Sequence, residues 1–182
     1  MHSQGSEDSL VKRAVQRDRE AFASLYDRYV EHVYKHIYYS IPDKSDAEDI
    51  TQEVFIKAWK AIDKYKYTGA PFVAWLIKIA RNLIADHYKA RKKEVPLVEP
   101  EAHSQAGETN PEAITEASLN RSHVRKAILK LKGEKQKVIL MHFIDGFSYT
   151  EIAKLLNKSE GAVRVIQYRA LNDLRRMLMR GE

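Results

Sequence analysis

Apolar residues recur every three or four positions along most of the 182-residue chain, and alternating runs are few, so the pattern predicts helices throughout. A short first helix, starting at Ser6 or Asp8, would carry Leu10, Val11, Ala14 and Val15. Asp18 suits the N-cap of a longer second helix with Phe22, Leu25, Tyr26, Tyr29, Val33 and Ile37 on one side, ended by Pro42. Ser45 followed by Glu48 reads as a capping box for a third helix running to about Lys64. Thr68-Gly69-Ala70-Pro71 then makes a turn into a fourth helix, with core stripe Phe72, Leu76, Ile79, Ala80 and Leu83, that reaches about Arg91.

From Lys92 to about Asn110 the periodicity fails, and Val95-Pro96, Glu99-Pro100 and Ser104-Gln105-Ala106-Gly107 read as a linker. Asn110-Pro111-Glu112 is a helix start, and apolar residues recur from Ile114 to Leu131. Three more helices follow, divided by Lys132-Gly133, Asp145-Gly146 and Asn157-Lys158-Ser159. The expected fold is all-α: two small helical domains, 7–91 and 111–180, joined by a flexible linker over 92–110.

Composition narrows the chemistry. Cys is absent, which removes disulfides and thiolate catalysis, and no apolar run approaches the ~20 residues that cross a bilayer. Residues 1–9 lack the basic start and apolar middle of a signal peptide, so a cytoplasmic protein without membrane insertion is expected. The net charge of +6 is unevenly spread: 14 basic against 13 acidic residues over 1–90, 3 against 6 over 91–119, and 14 against 6 over 120–182. A basic C-terminal part fits a polyanionic partner, because Lys and Arg on phosphates release condensed counterions, and fits a well-solvated surface equally. No P-loop, GxGxxG or GxSxG occurs. His32 and His36 lie one turn apart but lack an accompanying acidic ligand set, so neither an enzyme nor a cofactor or metal is expected.

Residues 149–166 have the makings of a helix-turn-helix. Ser148 with Glu151 caps the first helix, Ala153 is small where two helices cross, and Asn157 tolerates a left-handed turn. Ile152, Leu156, Val163 and Ile166 would form the shared core. On a helical wheel, Val163, Ile166, Gln167, Ala170, Leu171 and Leu174 share one side, and Arg164, Val165, Tyr168, Arg169 and Asn172 the other. Docked N-terminus first in the major groove, the second helix offers Ser159, Glu160, Gly161, Arg164, Val165 and Tyr168 to base edges and nearby phosphates, and Lys158 and Arg169 to the backbone. Arg164 is the leading base reader. A turn joining two packed helices is the plainer alternative.

In the fourth helix Trp75, Lys78, Asn82 and Lys89 form a strip suited to single-stranded DNA, where bases stack on rings and phosphates meet Lys. Lys64-Tyr65-Lys66-Tyr67 interleaves cation and aromatic in the same way. Taken singly, Trp75 also fits a half-buried core position and the loop a solvated turn. The third helix is apolar in two directions, with Ala47, Ile50, Val54 and Ala58 on one side and Phe55, Trp59 and Ile62 on the other. Asp49, Gln52, Glu53 and Ile56 lie between them, and periodicity alone favours burial over a partner surface.

The order of these parts is itself informative. Ser45-Asp46-Ala47-Glu48-Asp49-Ile50-Thr51-Gln52-Glu53-Val54-Phe55, then Trp75-Leu76-Ile77-Lys78-Ile79-Ala80-Arg81-Asn82, then the helix-turn-helix, together resemble the extracytoplasmic-function (ECF) sigma factors, small members of the sigma-70 family. The resemblance runs from about Asp8 to Met179, omitting the linker. It implies regions 2 and 4 of sigma, and it implies as partners bacterial core RNA polymerase (clamp helices and flap), promoter DNA as duplex and single strand, and an anti-sigma factor.

Position by position, Asp49, Gln52, Glu53, Ile56 and Trp59 look like the edge that grips the polymerase clamp helices, which reverses the burial preference there. Residues 64–70, including Tyr65, Lys66 and Tyr67, look like the loop that captures a flipped −10 base, and Trp75, Lys78, Arg81, Asn82 and Asp86 match the melting helix. The −35 element would fall to Lys158, Ser159, Glu160, Gly161, Arg164, Val165, Tyr168 and Arg169. The loop Tyr65-Lys66-Tyr67-Thr68-Gly69-Ala70 lacks the Arg-Gly-Asp/Glu-Ser pattern common in the family. The implied role is a nucleoid-associated initiation factor without catalysis, which prefers strand-separated −10 DNA to duplex. The rival reading is a two-domain helix-turn-helix transcriptional regulator.

Overall fold

In the computed structural model, which describes residues 3–67, 69–94 and 116–180, every regular element is helical. Helix α1 spans Ser3–Val15, starting ahead of the Ser6 or Asp8 expected. It closes on a left-handed residue, Arg17 at φ +67°, with the amides of Arg17 and Asp18 donating to the carbonyls of Ala14 and Arg13 at 2.9 and 3.2 Å. Glycine is the usual occupant of that position because a Cβ there costs about 1 kcal/mol. Here the Arg17 guanidinium offsets the cost by donating to the carbonyls of Trp59 (2.7 Å) and Lys60 (3.2 Å), the orphan acceptors at the end of the third helix, and by pairing with Asp63 at 3.0 Å.

Helix α2, Arg19–Tyr38, opens as expected on Asp18, whose carboxylate accepts from the amides of Glu20 and Ala21 at 3.0 and 3.1 Å. Those bonds, with that from Arg13 at 2.7 Å, hold the Asp18 carboxyl below its ordinary range. Helix α3 is Lys44–Ala61, followed by a tight turn over Ile62–Lys64. It starts one residue ahead of the expected capping box, so Ser45 lies within its first turn. Gly69, at φ +80°, bends the chain into α4, Phe72–Glu94.

The chain forms two compact units: Met1–Ile37 with Ser45–Ala102, and Tyr38–Lys44 with His103–Glu182. In the first unit Ala14, Leu25, Val33, Val54, Ile62 and Leu76 are among the fully buried residues. Helix α4 buries Phe72, Leu76, Ala80 and Leu83 of its expected stripe but only half-buries Ile79, and it turns Val73, Ala74 and Ile77 inside as well. In the second unit, α5 (Glu116–Lys130), α6 (Glu134–Ile139), α7 (Tyr149–Leu156) and α8 (Glu160–Arg180) enclose a core of Ala127, Ile128, Leu131, Ile139, Leu140, Ala170 and Leu174. A π-helical turn, Leu140–Ile144, extends α6. The linker from residue 95, Thr68 of the turn, and the start signal at Asn110-Pro111-Glu112 lie outside the described residues. Among the described residues no helix is long and apolar enough to cross a membrane.

Candidate nucleic-acid interface

The two helices of the C-terminal motif are joined by local chemistry. Ser148 and Glu151 form the reciprocal capping box: the Ser148 amide donates to the Glu151 carboxylate (2.8 Å), and the Glu151 amide to Ser148 Oγ (3.3 Å). Helix α7 ends on Asn157 in the left-handed conformation (φ 53°, ψ 53°), and the Lys158 amide reaches back to the Ala153 carbonyl at 2.9 Å. Ala153 and Ile152 are buried as expected, whereas Leu156 and Ile166 are only partly covered.

Helix α8 turns Val163, Gln167, Ala170 and Leu174 inward and leaves Arg164, Val165, Tyr168, Arg169 and Asn172 exposed. Leu171, expected on the inner side, is 41% exposed, because the buried stripe is narrower than half the wheel. The residues expected to meet DNA divide into two groups. Lys158 pairs with Glu134 (2.9 Å), Ser159 Oγ accepts from the Ala162 amide (3.2 Å), and the Glu160 carboxylate accepts from the Thr150 hydroxyl (2.7 Å). These three tie down the start of α8. Arg164, Val165 (48% exposed), Tyr168 (68%) and Arg169 face out, and a Cβ built on Gly161 would meet nothing within 4 Å.

Arg164 has a partner that the wheel does not reveal. Its guanidinium carbon stands 4.0 Å from the centroid of the Tyr149 ring, and the His142 imidazole stacks on that ring at 4.6 Å and 20°. The Tyr149 hydroxyl donates to Gln167 Oε1 at 2.6 Å, and His142 Nδ1–H donates to the Phe147 carbonyl at 3.0 Å, which can only accept. Tyr149 opens the preceding helix, where no periodicity in α8 points.

In the first unit the strip Trp75, Lys78, Asn82 and Asp86 lies along α4, with Lys78, Asn82 and Asp86 exposed and Trp75 and Arg81 half-buried. Asp86 pairs with Lys89 at 3.6 Å. The two tyrosines of the preceding loop are not alike. Tyr65 packs its ring against Phe72 (5.3 Å) and Trp75 (5.0 Å), and burial, with Tyr67, Glu7 and Asp8 nearby, raises its phenol pKa. Tyr67 is 72% exposed, beside an exposed Lys66.

Helix α3 buries Ala47, Ile50, Val54 and Ala58 on one side and Phe55 on the other, Ile62 of the following turn is buried too, and Trp59 is half-buried with its ring 5.0 Å from Phe22 and the Arg17 guanidinium 5.5 Å above it. What remains outside is the edge of Asp49, Gln52, Glu53 and Ile56, the last 53% exposed, with Glu53 paired to Lys57 at 3.1 Å. Phe22, Ala23, Tyr26 and Trp59 line a shallow apolar groove rimmed by Arg19 and Asp27. Phe22 and Tyr26 read in sequence as core positions. His36 points into the protein, and among the described residues no group of three metal-ligating side chains occurs.

Residues 25–94 match the family model for sigma-70 region 2, and residues 122–174 that for sigma-70 region 4. The ECF RNA polymerase sigma factor BldN of Streptomyces coelicolor is 38% identical over 170 residues, covering 93% of this chain; the chain spans 64% of that relative's length. The ECF RNA polymerase sigma factor SigW of Bacillus subtilis is 30% identical, over 92% of this chain and 94% of its own. Among solved structures, CnrH in complex with the cytosolic domain of CnrY is similar with a TM-score of 0.73 and 25% identity, over 97% of this chain and 99% of that one.

Proposed function

The chain belongs to the sigma-70 family, in its extracytoplasmic-function group, and from that premise we propose that it directs core RNA polymerase to specific promoters and promotes strand separation at the −10 element. Residues 7–91 act as region 2, residues 92–110 link, and residues 111–180 act as region 4. The exposed edge of Asp49, Gln52, Glu53 and Ile56, continued by Trp59, docks on polymerase: an apolar centre flanked by carboxylates suits a helical partner with basic residues.

The −10 single strand runs over Lys66, Tyr67, Trp75, Lys78, Arg81, Asn82 and Asp86, and the −35 duplex meets Gly161, Arg164, Val165, Tyr168 and Arg169. Lys158, Ser159 and Glu160 orient α8, and Tyr65 anchors the loop from which Tyr67 projects. The factor contributes differential binding and no bond chemistry: affinity for separated strands above duplex makes melting favourable where both elements are present. Control by an anti-sigma factor belongs to the same reading, supported by CnrH, whose solved complex holds a second protein's cytosolic domain. So does a cytoplasmic, nucleoid-associated location.

The observation that carries this reading is α8, capped and oriented at its start, with Arg164, Tyr168 and Arg169 turned outward. Run-off transcription with core polymerase on genomic promoter fragments, with and without the chain, tests it: factor-dependent transcripts are expected, and their absence refutes it. Arg164→Ala should weaken −35 recognition by ~1–3 kcal/mol, the discrimination of one good base contact.

A further inference from the structure

We propose that Tyr149 is a positioning residue for promoter reading, its ring holding the Arg164 guanidinium in the pose that meets a base. The inference rests on the reading that Arg164 contacts DNA. An exposed arginine on a helix samples many rotamers, and ordering it on binding opposes recognition. In this protein the search is already narrowed: the guanidinium lies 4.0 Å over the Tyr149 ring, and a guanidinium held on an aromatic ring keeps N–H groups that point away from it as donors.

The platform itself is fixed by two contacts. The Tyr149 hydroxyl is bonded to Gln167, which is 9% exposed and faces inward from α8 one turn after Arg164. The ring also stacks on His142, and His142 is held by its bond to the Phe147 carbonyl. The stack thus ties the first residue of α7 to the outer face of α8 and sets where Arg164 stands relative to the helix N-terminus.

The test uses the full chain bound to bacterial core polymerase, transcribing a library of duplexes with a randomised upstream tract, with base preference at each position read from the transcripts. Arg164→Ala is expected to erase preference at one position. Tyr149→Leu, which removes the ring, should lower preference at that same position by about three- to tenfold and leave the others unchanged. Tyr149→Phe, which keeps the ring and loses the bond to Gln167, should preserve it, and Tyr149→Leu should add nothing in the Arg164→Ala background. Circular dichroism melts of each variant report folding.

If Tyr149→Leu left the Arg164-dependent preference intact, or lowered preference at all positions equally, the positioning role would be refuted while base reading by Arg164 stood. If Tyr149→Phe lost the preference as fully as Tyr149→Leu, the hydrogen bond would matter and not the ring, and the proposal would fall. If Arg164→Ala changed no position, the underlying reading would fail as well.

Discussion

Gly161 offers a substitution whose effects on stability and on function should run in opposite directions. It is the second residue of α8, exposed, and an added Cβ would meet nothing within 4 Å, so the protein's own packing gives no reason for a glycine. Gly161→Ala removes the excess conformational entropy that glycine loses on folding, ~0.5–1 kcal/mol within a helix. The first turn lies at the lower end, about 0.5 kcal/mol, which in a unit of this size corresponds to roughly a 2–4 °C rise in Tm. The same methyl would stand where α8 enters the groove. Close approach there turns it into overpacking, at ~1.4 kcal/mol or about tenfold in affinity for −35 duplex. Thermal melting of the chain and promoter binding by the reconstituted holoenzyme measure the two. A higher Tm with unchanged or tighter promoter binding would refute the placement of Gly161 against DNA.

The two loop tyrosines should separate in the same pair of assays. Tyr65→Ala removes a ring packed on Phe72 and Trp75 and should destabilise the first unit by ~1–3 kcal/mol, whereas Tyr67→Ala should leave Tm nearly unchanged and slow promoter opening measured by 2-aminopurine fluorescence at −10. Asp173 is held below the ordinary carboxylate value of 3.8 by its bonds from Lys135 (2.5 Å) and Arg176. A lowered folded pKa stabilises above the unfolded value and is lost as pH falls through the folded one. Asp173→Asn should therefore lower Tm at pH 7, with the difference shrinking below about pH 4 in melts across pH; a constant difference would contradict it.

What could be read from sequence divides by range. Features whose partners lie within a few residues were legible: the Asp18 cap, the Ser148–Glu151 box, left-handed Asn157, and the outward set on α8. Contacts between elements were not. Arg17 closes α1 and caps α3 across more than 40 residues, Tyr149 reaches Arg164 from the preceding helix, and Tyr65 turns inward while Tyr67 two residues later faces out. Helix α3 shows the same limit, since a wheel gives two apolar arcs and only the arrangement of neighbouring helices decides that Phe55 is buried, Trp59 half-buried and Ile56 left outside.

The central claim, that the chain is a polymerase subunit as well as a DNA binder, is tested most directly by titrating the full-length chain against bacterial core polymerase at low salt and following complex formation by sedimentation. A one-to-one complex is expected, weakened about tenfold or more by Ile56→Asp, which alters an exposed side chain and should leave Tm unchanged. No complex with the unaltered chain would contradict the account, however well its C-terminal helices held DNA.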